Sequence, residues 1–92
     1  MVRMIRVAVC DDDINIRTQM HNLLHEILDE EEELEFEVAY YADGLEIVNA
    51  AKTDQTFHII FMDVEMKKMD GLNAAMQIRK MDWHTLIVYI SN

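Results

Sequence analysis

The chain has 92 residues, of which 51% are hydrophobic, and its formal net charge is -10. This length allows one small domain, and the hydrophobic share excludes a disordered chain. The negative charge disfavours direct binding to nucleic acid, and apolar runs of about seven residues are too short to span a membrane. A single cysteine, Cys10, cannot form an internal disulfide. We therefore expect a reduced, cytoplasmic protein without a signal peptide.

Segments typical of strands and helices alternate along the chain. Three of the four predicted strands are mostly continuous apolar runs. In the second strand, apolar residues alternate with polar ones, as in an exposed edge strand. Apolar residues at helical spacing indicate the helices, and Asp13 is a candidate cap for the first of them. The predicted order is a strand at 4–10, a helix at 14–28, a strand at 34–40, a short helix after Asp43-Gly44, a strand at 57–62, a helix after Asp70-Gly71 and a strand at 85–90.

This alternation predicts an α/β fold with a doubly wound parallel sheet. Crossovers between parallel strands are right-handed, which places helices on both faces of the sheet. In a flavodoxin-like strand order of 2-1-3-4, the order reverses between the first and third strands, and ligands bind outside their carboxyl ends. The sequence therefore predicts a site where these two strands end.

Acidic residues occupy that predicted position. Asp11, Asp12 and Asp13 follow the first strand, and Asp63 follows the apolar run 57–62. Two carboxylates about 4 Å apart repel by roughly 4 kcal/mol at an effective dielectric of about 20, so we expect raised carboxyl pKa values without a metal. Mg²⁺, which prefers oxygen ligands and keeps several waters, would relieve the repulsion. One neutralised carboxylate could then attack phosphorus and become an aspartyl phosphate.

Three segments carry a resemblance to a known family: VAVCDDD at 7–13, MDVEMKKMDG at 62–71 and YIS at 89–91. In order and spacing they are similar to the receiver domain of two-component response regulators. The stretches CDDD at 10–13 and DVEM at 63–66 are also similar to the branch whose output is a LytTR-type DNA-binding domain. The resemblance implies a signalling switch rather than an enzyme, beyond self-catalysed phosphoryl acceptance.

The resemblance also implies a role for individual residues. Asp63 would be the phosphoacceptor that takes a phosphoryl group from a sensor histidine kinase. Asp11, Asp12 and Asp63 would hold Mg²⁺, with Asp12 binding directly and Asp11 mainly through water. Glu65 would add its backbone carbonyl. Ser91 would hydrogen-bond the phosphoryl group and report its arrival by moving the end of the fourth strand.

A complete receiver continues beyond the elements found here. Residues 1–92 are interpreted as a single, C-terminally incomplete receiver domain that lacks the fifth strand, with its lysine, and the last two helices. The fourth strand would then be an apolar edge strand, which favours a homodimer through that edge. Any contact with DNA would come only from an attached output domain, and that domain would regulate transcription.

Two other functions stay open from the sequence. One is a phosphorylation-independent interaction module, and the other is a Mg²⁺-dependent phosphohydrolase with Asp63 as nucleophile. Separately, His21 and His25 are spaced i, i+4 and could hold a metal, although ordinary helix positions are the favoured interpretation because no third ligand is evident.

Overall fold

A computed structural model of the chain describes residues 3–53, 56–82 and 84–90. Strands and helices follow one another in the predicted order. They are β1 (Arg3–Cys10), α1 (Ile14–Leu28), β2 (Leu34–Tyr41), α2 (Gly44–Lys52), β3 (Ile59–Asp63), α3 (Gly71–Met81) and β4 (Leu86–Ile90).

The four strands form one parallel sheet in the order β2-β1-β3-β4. This confirms the predicted fold class and strand order. The register aligns the carboxyl ends, because Cys10 pairs with both Tyr41 and Met62, and Asp63 pairs with Ile90. The residues that follow β1 and β3 consequently emerge side by side.

Helices cover both faces of the sheet, as predicted. On one face, Leu24 of α1 packs with Val7 and Val9 of β1. On the other face, α2 and α3 pack on β1 and β3 in a cluster that includes Ala8, Cys10, Ile47, Ile60, Met62, Ala74 and Ile78. Alternate residues of β1 therefore serve two separate cores, which explains why residues 7–10 at the end of the strand are all apolar.

Strand β3 begins at Ile59, two residues later than predicted, although hydrogen bonding starts before it. His58 donates its backbone N–H to the carbonyl of Arg6 at 2.8 Å, and Leu86 donates to the carbonyl of His58 at 2.9 Å. The Thr85 hydroxyl donates to the Phe57 carbonyl at 2.8 Å. Two backbone hydrogen bonds and one from the Thr85 hydroxyl thus hold the approach to β3 and β4 where the regular ladder has not yet begun.

Helix α3 buries a face of small residues. Gly71, Ala74, Ala75 and Ile78 are buried, whereas Leu72 and Met76 are 52% and 62% exposed. Helical spacing located this helix, but most of its larger apolar side chains face outward.

Within the described residues, no helix combines the length and apolar character needed to cross a membrane.

Candidate metal centre

Three carboxylates meet at the carboxyl ends of β1 and β3. Asp11, Asp12 and Asp63 each offer an oxygen, and these atoms lie within 4.8 Å of one another. Asp11 is buried, Asp63 is half-buried and Asp12 is exposed. The topology predicted this convergence, and it produces a compact group of negative charges that is open to solvent on one side.

Asp11 is held in place by main-chain and side-chain contacts. Its Oδ1 accepts the backbone N–H of Asp13 at 2.9 Å, its own N–H donates to the Tyr41 carbonyl at 3.0 Å, and its carbonyl accepts from the Arg17 guanidinium at 2.6 Å. Burial raises the pKa of the Asp11 carboxyl, and the charges of Asp63, Asp12 and Asp13 add to that effect. Repulsion thus acts as predicted, but desolvation is the larger cause.

Asp63 is positioned by the last residue pair of the sheet and by the loop that follows it. The backbone N–H of Glu65 approaches its Oδ1 at 3.4 Å. Gly71 at the start of α3 donates its N–H to the Val64 carbonyl at 2.8 Å. A Cβ at Gly71 would overlap the carbonyl oxygen of Asp63, so only glycine permits this close approach.

Asp43, which the sequence placed only before the short second helix, is a positioning residue. It is 7% exposed, and its carboxylate accepts the backbone N–H groups of Lys68 at 2.9 Å and of Met69 and Leu45, each at 3.0 Å. Burial would raise its pKa, but these three donors outweigh burial and the pKa is lowered. Asp43 therefore caps α2 and fixes the loop between β3 and α3 at the same time.

The loop between β3 and α3 also packs on β1 through a contact between two sulfur atoms. Met66 is buried, and its Sδ lies 3.6 Å from the Sγ of Cys10. Burial, with smaller effects of the nearby charges of Asp43 and Glu46, raises the pKa of Cys10 to about 12. Cys10 is consequently a neutral thiol that packs beneath the acidic site.

Other predicted site residues take different positions. Asp13 is the N-cap of α1 and accepts the N–H of Asn15 at 2.9 Å, which confirms its predicted capping role. Glu65 lies in the loop beside Asp63, while ligation by its carbonyl stays a prediction. Ser91 lies outside the described residues.

The ligand atoms at this site fit a hard divalent cation. They are carboxylate oxygens, without a nitrogen or sulfur ligand among the three residues, which favours Mg²⁺ or Ca²⁺ over softer metals. A site with few protein ligands and one open side suits Mg²⁺, which retains waters or binds phosphate oxygens.

Comparison with known proteins gives consistent matches. The profile of the response regulator receiver domain matches residues 7–92. Ethylene receptor 2 of Oryza sativa subsp. japonica is 30% identical over 91 residues, which are 95% of this chain and 11% of that protein. The chain therefore spans about a tenth of the length of this curated relative.

Solved structures agree on the fold. The response regulator domain of Thermotoga maritima CheB is 32% identical with a TM-score of 0.71, and the match covers 97% of this chain and 61% of that chain. A CheX-CheY complex with BeF3 and Mg²⁺ from Borrelia burgdorferi is 24% identical with a TM-score of 0.75, covering 95% and 61%. The chain thus spans about three fifths of these structures.

Proposed function

The chain belongs to the response regulator receiver domain family, and from this membership we propose that it is a phosphoacceptor switch in which Asp63 takes a phosphoryl group from a histidine kinase. The observation that carries the proposal is the convergence of Asp11, Asp12 and Asp63, with oxygens within 4.8 Å, at the carboxyl ends of neighbouring parallel strands. Family resemblance makes Asp63 the proposed nucleophile, and its half-buried position at the end of β3 is compatible with that role.

The proposed reaction is a transfer between two side chains. A carboxylate oxygen of Asp63 attacks the phosphorus of a phosphohistidine, the P–N bond breaks, and the imidazole leaves with the electron pair. Such a transfer requires in-line positioning and neutralisation of the oxygen charges more than covalent help. The Glu65 N–H beside Oδ1 and the tight turn at Gly71 position the attacking carboxylate.

Asp11, Asp12, Asp63 and the backbone carbonyl of Glu65 are the proposed Mg²⁺ ligands, with Asp11 acting mainly through water. When bound, Mg²⁺ neutralises the carboxylates and the incoming phosphoryl oxygens. One oxygen of the Asp11 carboxylate accepts the Asp13 N–H, and two hydrogen bonds hold the Asp11 main chain, so this member of the cluster is positioned before a cation binds.

The proposed output is a change of conformation. Ser91, directly after β4, would hydrogen-bond the phosphoryl group and draw the end of β4 toward Asp63. Pairing of Asp63 with Ile90 supports this route, since it puts the end of β4 beside the acceptor.

Partners and location belong to the same proposal. The kinase would be a sensor histidine kinase, and transcription would be regulated only through an attached output domain that contacts DNA. The buried free thiol of Cys10 is consistent with a reduced, cytoplasmic setting. Self-association through β4 is also proposed, because β4 lies at the edge of the described sheet with Leu86 56% exposed, and light scattering would measure it.

Treatment with Mg²⁺ and acetyl phosphate tests the proposal. Intact mass spectrometry should find one added phosphate per chain, and Asp63→Asn should abolish it. Asp13→Asn is the matched control and should still accept phosphate, because its side chain caps α1. Absence of the adduct in the wild-type chain would favour a phosphorylation-independent module, whereas many turnovers of a chromogenic phosphate ester would favour a phosphohydrolase.

A further inference from the structure

A second group of metal-ligating side chains lies on α1, away from the acidic site. His21 and His25 project from adjacent turns, and their ring centroids are 4.3 Å apart. His21 is exposed, and the side chain of His25 is 39% exposed. Both rings are therefore within reach of an ion from solvent.

Each imidazole has a partner at its Nδ1 atom. His21 Nδ1 lies 2.6 Å from the hydroxyl of Tyr40, and His25 Nδ1 lies 3.7 Å from Oδ1 of Asp29. Asp29 lies beyond direct hydrogen-bond distance of His25, but its negative charge favours a hydrogen on Nδ1, which leaves a lone pair on Nε2. The Tyr40 oxygen can accept a hydrogen bond from Nδ1 of His21, with the same result. Such partners orient histidines that ligate metals through the other nitrogen.

The separation of the rings fits one shared ion. Zinc binds imidazole nitrogen at about 2.0–2.1 Å, so two nitrogens on one zinc ion lie at most about 4 Å apart. Ring centroids 4.3 Å apart bring nitrogen atoms into this range after small rotations of the side chains. Two histidines at i, i+4 on one helix face are a recurring pair of zinc ligands.

Carboxylates lie next to one of the two histidines. His25 lines a surface groove together with Asp29, Glu31 and Glu35. These acids attract a cation, and water would complete the coordination shell of an ion held by the two imidazoles. The net charge of -10 acts in the same direction over the whole molecule.

We propose that His21 and His25 form a binding site for a borderline divalent transition metal such as Zn²⁺, with Tyr40 and Asp29 as positioning residues. The site differs in chemistry from the acidic cluster, because imidazole nitrogen prefers zinc, copper or nickel, whereas carboxylates suit magnesium. A bound ion would link successive turns of α1 and stabilise the helix that follows Asp11–Asp13.

Calorimetric titration with Zn²⁺ in the presence of excess Mg²⁺ tests the proposal while the acidic cluster is kept occupied. One Zn²⁺ per chain should bind, and His21→Gln and His25→Gln should each weaken binding at least tenfold. Tyr40→Phe should weaken it severalfold, since the ring of His21 loses its partner. His84→Gln, which changes a histidine before β4, and Asp63→Asn should leave the zinc affinity unchanged.

Two further measurements establish that the variants report on the site. Melting temperatures without zinc should be similar for all the histidine variants, and added zinc should raise the Tm of the wild-type chain by several degrees but not that of His21→Gln. Nitrogen chemical shifts should identify Nε2 of both imidazoles as the metal-bound atom. Absence of saturable binding, or equal affinity in His21→Gln and wild type, would overturn the proposal.

Discussion

Asp43 connects α2 with the loop beside Asp63 through a single buried carboxylate. Its oxygens accept the backbone N–H groups of Lys68, Met69 and Leu45, at 2.9 to 3.0 Å. Asparagine has only one acceptor oxygen. In Asp43→Asn the side-chain NH₂ would therefore face at least one of these backbone N–H donors. Hydrogen bonds to a charged group contribute about 1.5–3 kcal/mol, and we expect Asp43→Asn to lower the free energy of unfolding by about 2 kcal/mol.

Urea denaturation measures this loss, and Asp70→Asn is the matched control. Asp70 caps α3 by accepting the N–H of Asn73, and asparagine caps helices about as well as aspartate. Its substitution should change the stability only slightly. Equal effects of the two substitutions would contradict the role assigned to Asp43.

The lowered pKa of Asp43 gives this contribution a pH dependence. The folded pKa lies below the ordinary value of 3.8, so the unfolded chain binds the proton more readily. The stabilisation is therefore fully present above about pH 4 and is lost as the pH falls through the lowered folded value. Wild type and Asp43→Asn should differ in stability at neutral pH and converge in acid.

At the scale of elements, the close approach of α3 to β3 depends on Gly71. A Cβ there would overlap the carbonyl oxygen of Asp63 and also touch Met62. We expect Gly71→Ala to destabilise the chain by about 1–3 kcal/mol, as overpacking of a core does, and to slow phosphorylation because the end of β3 must shift. Thermal unfolding and the acetyl phosphate reaction measure the two effects.

Leu72→Ala is the control for that substitution. Leu72 follows Gly71 in the same helical turn but is exposed, so the change should leave phosphorylation as it is. Normal phosphorylation of Gly71→Ala would show that the glycine is not needed to position Asp63.

The sequence predicted the order of strands and helices better than it predicted which face of each helix is buried. Strand and helix order and the capping role of Asp13 follow from periodicity and local chemistry, whereas the sheet order follows from the flavodoxin-like topology. Periodicity did not reveal that α3 packs through Ala74 and Ala75 while Met76 faces outward. Small residues carry a weak hydrophobic signal, so which face is buried becomes evident only when α2 and the sheet are in place.

The site also contains residues that the sequence could predict and one that it could not. Asp11, Asp12 and Asp63 could be predicted because parallel strands bring their carboxyl ends together. Asp43 could not, because its partners Lys68 and Met69 are more than twenty positions away and offer only backbone N–H groups. Backbone donors leave no mark in a sequence, although an aspartate before a glycine at a helix start is a signal worth pursuing.

For the molecule as a whole, the acidic cluster that would bind a cation lowers the stability of the folded chain when no cation is bound. Three carboxylates with oxygens within 4.8 Å repel one another in a chain whose net charge is already -10. Without a cation, Asp12→Asn should therefore raise the free energy of unfolding by up to about 1 kcal/mol, a modest gain because Asp12 is exposed and water screens the charges. With Mg²⁺ the order should reverse, since the stabilisation of the folded state by the cation grows with the logarithm of its affinity and the variant has lost a ligand.

Melting curves recorded with and without Mg²⁺ measure both signs in one experiment. Asp13→Asn is the control, because Asp13 carries the same charge on the neighbouring residue but caps α1, a role that asparagine fills equally well. Its Tm should respond to Mg²⁺ almost as the wild type does. If Asp12→Asn melted below the wild type in the absence of Mg²⁺, repulsion within the cluster would not be a net cost, and the electrostatic reason for assigning a cation to this site would fail.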